Sequence, residues 1–153
     1  MNLRAAAAIA MLCLAVHADA QTPRTYLLDP FAQATSGDAA CTAVAPPVLD
    51  EQQMRAQAHS RAERGTSCCL AGTCECGGPY QHDAEINNRV IEGIRADKRF
   101  RDTSVWVTTT RGFVTVQGCV RSSAQKSALE RAVKRLPGVV LVWNETVAVR
   151  PRE

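Results

Sequence analysis

The densest group of reactive side chains in this 153-residue sequence is a set of four cysteines within nine residues. Cys68 and Cys69 are adjacent, and Cys74 and Cys76 follow with one glutamate between them. Cysteine thiolates at such close spacing can bind Zn(II) or Cu(I), and His82 could add a nitrogen ligand. The same cysteines form disulfides instead if the protein reaches an oxidising compartment.

The sequence offers little support for catalysis. The cluster lacks the Cys-x-x-Cys spacing of thiol oxidoreductases, and no thioredoxin-like unit surrounds it. Elsewhere there is no defensible Ser-His-Asp set, phosphate-binding loop, Rossmann glycine pattern or His-Glu-x-x-His motif. We therefore predict a protein that is not an enzyme and has no cofactor. For the Cys68–Cys76 segment, a disulfide knot that ties this loop to Cys41 and Cys119 is favoured, and a metal-binding or thiol-redox site is the alternative.

The N-terminus indicates export. Arg4 precedes a short apolar run from Ala5 to Val16, and Ala18-Asp19-Ala20 is a small-x-small cleavage site. This pattern predicts a signal peptide over residues 1–20 and a mature protein that begins at Gln21. The run is shorter than the ~20 residues that span a bilayer. The predicted location is periplasmic or secreted.

In an exported protein, the number of cysteines indicates whether they form disulfides. Seven cysteines occur, and Cys13 would leave with the signal peptide. An even number then remains, which is typical of disulfide-bonded exported proteins, although fifteen pairings are possible. Because vicinal cysteines rarely bond each other, Cys68 and Cys69 are expected to have separate partners. The six predicted disulfide cysteines are Cys41, Cys68, Cys69, Cys74, Cys76 and Cys119.

Residues 21–82 show little sign of a core. Residues 21–49 are rich in Ala, Thr, Pro and Ser without a helical or strand period, which predicts a disordered or extended linker. Residues 50–64 suit a short exposed helix that Gly65 would end. The glycines after it are expected to interrupt regular structure around the cysteines. The predicted organisation is a signal peptide at 1–20, a linker and Cys-rich irregular segment at 21–82, and one folded domain at 83–150.

The folded domain is predicted from its periodicities. Asp83 would cap a first helix, whose apolar stripe recurs every four residues. Two strands, 105–110 and 113–120, alternate with period two around an Arg-Gly turn. A second helix from Ser122 or Ser123 and a third strand at 139–149 complete the order. The fold class is α+β: a two-layer αββαβ domain with a three-stranded sheet and two helices on one face.

This order resembles the BON domain, the bacterial osmotic-shock and nodulation module. The resemblance covers about residues 83–150 and is carried by the glycine-framed run Gly112–Gly118 and by Pro137-Gly138-Val139, Val142 and Asn144. It implies a module that binds phospholipid membranes in the cell envelope, and the sequence contains one copy of it. The apolar residues after Asn144 fall one position later than is usual for the family, which leaves the register of the last strand open.

Charge and the open sheet face define the predicted binding site. Residues 84–153 hold thirteen Lys/Arg and seven Asp/Glu, a net charge of +6. Residues 21–83 hold four Arg and seven Asp/Glu, a net charge of −3. A basic surface favours anionic phospholipid or envelope proteins, and export makes nucleic acid the least fitting partner. The open face also carries Cys119, which is expected to bond an upstream cysteine. The predicted binding residues are Lys98, Arg99, Arg101, Lys134 and Arg135, with Trp106 and Phe113 for shallow insertion.

Overall fold

The computed structural model describes residues 24–149. The predicted signal peptide, its cleavage site and Arg150 lie outside the described residues. Three α-helices, one short 3-10 helix and five strands occur between residues 24 and 149. In chain order they are β1 (Phe31–Ser36), α1 (Glu51–Leu70), α2 (Asp83–Ala96), the 3-10 helix (Lys98–Phe100), β2 (Ser104–Thr110), β3 (Phe113–Val120), α3 (Ser123–Lys134), β4 (Leu141–Asn144) and β5 (Val147–Ala148).

The predicted hairpin is present with its predicted register. β2 and β3 are antiparallel, and Thr109 pairs with Val114 and Val107 with Val116. The two-residue turn needs positive φ at both positions, and Arg111 and Gly112 have φ values of 58° and 73°. Such a turn matches the twist of the flanking strands, which is why its type fixes the pairing.

One face of the sheet holds the core, as the alternation predicts. The inward residues of β2 and β3 are fully buried against α2 and α3. Helix α2 contributes Val90, Ile91 and Ile94 to this core, and helix α3 contributes Leu129 and Val133. Period-two strands and period-3.6 helices each present one apolar face, so the two layers close around these side chains.

Asp83 has a different role from the predicted helix cap. The N-cap position is taken by His82, whose side chain makes no capping bond. The buried Asp83 carboxylate instead accepts hydrogen bonds from the backbone N–H groups of Arg111, at 2.7 Å, and Gly112, at 2.8 Å. The carboxylate thereby ties the start of α2 to the hairpin turn.

Asp83→Ala is expected to lower the free energy of unfolding by about 2–3 kcal/mol, because two backbone donors lose their acceptor in a buried place. Glu85→Ala, an exposed acid in the same helical turn, is the control and should cost about 0.5 kcal/mol or less. Urea unfolding monitored by circular dichroism measures both. Equal losses in the two variants would show that Asp83 does not hold the turn.

The prediction of a three-stranded sheet is wrong, because the predicted linker contributes a strand. The strand order is β1-β2-β3-β4, with β5 also paired to β3. β1 lies antiparallel to β2. The Arg95 guanidinium donates to the carbonyl oxygens of Gln33 and Ala34, so a side chain of α2 holds β1 in place. The prediction of a linker throughout 21–49 is corrected accordingly.

The predicted third strand is interrupted rather than continuous. β4 and β5 both run parallel to β3, and the pairs Phe113–Leu141 and Cys119–Val147 keep one register. Between them the Asn144 side chain accepts from the backbone N–H and hydroxyl of Thr146, while its amide donates to the Lys126 carbonyl of α3. The Thr146 side chain is buried at this interruption.

Helix α1 is longer than predicted. Asp50 and Gln53 form a capping box at its start, but the helix passes Gly65 and ends only at Leu70. Gly65 lies against Gly78, where an added Cβ on Gly78 would come within 2.8 Å of the Gly65 Cα. The glycine therefore permits close packing and does not end the helix. Among residues 24–149, no helix is both long enough and apolar enough to cross a membrane.

All six cysteines within the described residues form disulfides, with the sulfur atoms paired as Cys41–Cys119, Cys68–Cys74 and Cys69–Cys76. Disulfide bonding, predicted from the even cysteine count, is therefore present, and the vicinal pair has separate partners. The predicted tie of the Cys68–Cys76 loop to Cys41 and Cys119 is wrong, because the cysteines of the loop bond one another and Cys41 bonds Cys119. These bonds leave no thiolate at the cluster. In residues 24–149 no group of three or more His, Cys, Asp or Glu side chains is placed to hold a metal ion.

Candidate functional site

The predicted basic residues lie at the exposed ends of the helix layer. After α2 ends, Asp97 caps the 3-10 helix by accepting from the Arg99 backbone N–H. The Gln125 side chain of α3 donates to the Arg99 carbonyl and to Asp102, and Leu136 packs beside Gly93 of α2. The 3-10 helix is thus bonded to the start of α3, while the residues after α3 pack along α2.

Arg99 is already occupied by an intramolecular partner. Its guanidinium Nε lies 2.9 Å and 3.1 Å from the two carboxylate oxygens of Asp97. These side-chain hydrogen bonds hold the pKa of Asp97 below its usual value and raise the pKa of Arg99. Arg99, which was predicted as a binding residue, therefore shares its charge with Asp97 in this structure.

Arg135 also acts on Asp97. Its positive charge makes a smaller contribution to the lowered pKa of that carboxyl group. The end of α3 is therefore within electrostatic reach of the turn after α2. The two predicted basic clusters, one around Lys98 and one around Lys134, belong to the same side of the domain.

Five exposed cations of α3 and of the turns that follow α2 and α3 form no ion pair with any residue in the range 24–149. We call them the cationic helix surface, and they are Lys98, Arg101, Arg131, Lys134 and Arg135. A set of unneutralised charges on one layer attracts anions over a distance set by the Debye length, about 10 Å at 0.1 M salt. Four of the five were predicted as binding residues, and Arg131 was not among them.

Other cations of the domain have structural roles. Arg95 holds β1, as described above. Arg89 donates to the Pro137 carbonyl and pairs with Glu85. Lys126 donates to the Thr146 carbonyl beside β5. Arg121 lies 3.2 Å from the buried Asp38 carboxylate, which joins the segment after β1 to the end of β3. The domain's positive charge is therefore only partly available to a ligand.

Trp106 does not lie on an open face, contrary to the prediction. Its side chain is 8% exposed. Addition of β1 makes β2 an inner strand, so Trp106 has Gln33 and Gln117 as neighbours on both sides. Its ring also lies beside Gly118, where a Cβ would meet the indole at 3.0 Å. A buried indole cannot insert into a membrane without a change of fold, which corrects its predicted role.

Phe113 lies on the outer face of the sheet, and its partner was missed. Its ring stacks on Trp143 of β4, with centroids 5.6 Å apart and planes 15° from parallel. Trp143 is 53% exposed, and the guanidinium of Arg111 lies over the Phe113 ring at 5.6 Å. The parallel pairing of β3 and β4 places Leu141 and Trp143 on the same face as Phe113. The alternation of residues in each strand does not specify which strands are neighbours. The cluster of Phe113, Leu141 and Trp143 could therefore not be predicted without the β3–β4 pairing.

The structure therefore divides the predicted binding site between two faces. The cationic helix surface belongs to the helix layer, and Phe113 with Trp143 lies on the opposite side of the sheet. They cannot contact one flat surface together.

Comparison with known proteins gives one match. A family model described as the BON domain matches residues 82–150. This range begins one residue before α2 and includes β2, β3, α3, β4 and β5. It leaves out β1, α1 and all cysteines except Cys119. No curated protein and no solved structure matches the chain.

Proposed function

Because residues 82–150 form a BON domain, we propose that this protein is an exported, non-enzymatic binding module that attaches to anionic phospholipid membranes. BON domains are in general binding modules linked to phospholipids and the cell envelope. The cationic helix surface is the proposed contact. In this proposal the domain supplies the membrane contact. The residues before the domain add strand β1 to its sheet beside β2.

The observation that carries the proposal is the set of five exposed cations of the helix layer that form no ion pair within residues 24–149. A Lys or Arg close to an anionic bilayer contributes on the order of 1 kcal/mol. Several such residues acting together support reversible attachment without a lipid-binding cavity. Arg99, which Asp97 neutralises, and the buried Trp106 are left out of this site.

The proposed location is periplasmic or extracellular. Three disulfides favour an oxidising compartment, and the N-terminal sequence has the pattern of a signal peptide. Such a location brings the cationic surface close to phospholipid head groups and keeps it away from nucleic acid. It also disfavours the metal-binding or thiol-redox alternative, since the cysteines of the Cys68–Cys76 segment are paired and carry no thiolate.

An envelope protein is the second candidate partner. The exposed Trp143 on the outer face favours some protein contact, because aromatic side chains are enriched in protein interfaces. This contact would be additional to the membrane contact, since the two surfaces lie on opposite sides of the sheet.

Lipid selectivity and salt dependence test the proposal. The purified, disulfide-bonded protein is expected to float with vesicles of phosphatidylcholine and phosphatidylglycerol, and to stay unbound with vesicles of phosphatidylcholine alone. Affinity should fall about tenfold or more between about 0.05 M and 0.5 M NaCl, because shorter screening lengths weaken exposed charges. Equal binding to both vesicle types, or no binding to either, would leave an envelope protein as the better partner.

A further inference from the structure

Strand β1 is a separately held addition to the edge of the sheet. It lies outside the residues that match the BON domain, and in the described part of the chain β2 is its one neighbour in the sheet. Of its six residues, Ala32 and Ala34 pack against the core. Two alanine methyl groups remove little apolar area from water, so packing stabilises the strand weakly. Apart from its pairing with β2, the strand is therefore held by polar contacts and by the segment that follows it.

The segment that follows β1 is fixed to the outer face of the sheet. The Asp38 N–H donates to the Ser104 hydroxyl oxygen at 3.0 Å, and that hydroxyl donates to the Asp38 carbonyl at 2.9 Å. Ser104 pairs with Cys119 across β2 and β3, and a disulfide joins Cys119 to Cys41. Trp106 follows Ser104 by two residues, so alternation places both side chains on this outer face. The segment after β1 is therefore bound covalently beside Trp106.

Burial of the Asp38 carboxylate opposes the docking of this segment. Asp38 is 6% exposed, and its Oδ2 atom accepts no hydrogen bond from residues 24–149. The guanidinium of Arg121 lies 3.2 Å from Oδ2 and supplies the opposite charge. A buried carboxylate loses its hydration, and an ion pair offsets that loss fully only when hydrogen bonds satisfy the remaining lone pairs. Release of the segment would return this carboxylate to water.

We propose that the Cys41–Cys119 disulfide is a redox latch, a reducible bond that decides whether β1 stays on the sheet. The reductant is a dithiol of an oxidoreductase. One of its thiolates attacks a sulfur of the pair, and its second thiol then resolves the mixed disulfide. The dithiol becomes a disulfide, and Cys41 and Cys119 become thiols, so two electrons and two protons pass to this protein. Both cysteines are half-buried rather than enclosed, which gives an attacking thiolate access.

Reduction of the latch releases β1 and leaves the two-layer domain folded. All members of the buried core other than Ala34 lie between Ile86 and Val142, within the range that matches the BON domain. Once β1 leaves, the Trp106 indole loses Gln33 as a neighbour, and β2 becomes the edge of the sheet. The oxidised and reduced proteins therefore differ in two local features, the exposure of Trp106 and the pairing of β2.

Tryptophan fluorescence in lipid-free buffer tests the latch. In a Trp143→Phe variant, Trp106 is the one tryptophan left in the chain. Reduction with dithiothreitol is expected to raise the acrylamide quenching of Trp106 several-fold, because local opening exposes the indole. Far-UV circular dichroism should still show a folded domain, and reoxidation should reverse the quenching. Alkylation and mass spectrometry establish which cysteines are reduced. If Trp143→Phe fails to fold, amide exchange of the oxidised and reduced wild type reads the protection of Phe31–Ser36 instead.

Two further variants separate the latch from the other disulfides. Cys41→Ser with Cys119→Ser should show strong quenching before any reductant is added, and the reductant should change it no further. Cys68→Ser with Cys74→Ser should resemble the oxidised parent until reduction, because the loop disulfides join residues six and seven positions apart and do not reach β1. Unchanged quenching of Trp106 once the latch is reduced would overturn the proposal, as would loss of the helical signal on reduction. Since no lipid is present, these results are independent of whether the protein binds anionic membranes.

Discussion

Replacing Cys41 and Cys119 together by serine is expected to lower the free energy of unfolding by about 4 kcal/mol. The bond joins residues 78 positions apart, and the chain-entropy model gives about this value for so long a loop. It also connects the segment after β1 to the end of β3. Removing it should therefore loosen β1 before the rest of the sheet, because only one edge of β1 is paired.

The matched control is the pair Cys68→Ser and Cys74→Ser, which opens a loop of six residues. The same model assigns that bond about 2 kcal/mol. Guanidinium unfolding gives both energies, and amide hydrogen exchange reports on β1. The first variant should lose protection at Phe31–Ser36, and the control should keep it. Loss of β1 protection in both variants, or in neither, would show that the long-range disulfide does not hold the strand.

The hairpin and both domain helices could be predicted from sequence because their signals are local. The valines of β2 and β3 alternate, the Arg-Gly turn fixes which residues pair, and Ser122 caps α3 by accepting from Gln125 N–H. Each of these features is decided by residues within a few positions of one another. The physical rules that produce them are therefore readable in the sequence itself.

β1 could not be predicted because its causes are distant in sequence. The segment Phe31–Ser36 has the composition of a linker, and its strand form depends on pairing with β2 and on Arg95, about sixty residues later. The burial of Trp106 follows from that pairing. The length of α1 was underestimated for a related reason: Gly65 allows close contact with Gly78, which lies later in the chain, and does not end the helix.

The candidate site was partly accessible from sequence. Clusters of lysine and arginine identified the basic ends of α2 and α3, but charge counting does not reveal which cations already have partners. The pairing of Arg99 with Asp97, two residues earlier, arises only once the 3-10 turn brings them together. Trp143 was missed as a surface residue because its neighbours on the outer face depend on the parallel pairing of β3 and β4.

Reversing three charges of the cationic helix surface should have the largest effect on binding. The variant Lys98→Glu, Lys134→Glu, Arg135→Glu is expected to bind phosphatidylglycerol vesicles more than about 100-fold less tightly. Each reversal replaces an attraction of on the order of 1 kcal/mol by a repulsion. All three side chains are exposed, so the thermal stability should change little.

A second triple variant separates the effect of the cationic helix surface from the effect of the protein's net charge. Arg24→Glu, Arg55→Glu and Arg64→Glu change the net charge by the same amount, and all three residues are exposed outside the domain. This control should retain most of the wild-type affinity. Circular dichroism should confirm that both variants are folded before their binding is compared.

The most direct test of the account is a side-by-side flotation of the wild type and these two triple variants with phosphatidylglycerol vesicles at about 0.1 M salt, where screening extends about 10 Å. We expect the wild type and the Arg24, Arg55, Arg64 variant to float with the vesicles, and the Lys98, Lys134, Arg135 variant to stay unbound. Equal flotation of the two triple variants would contradict it, because binding would then not depend on the cationic helix surface.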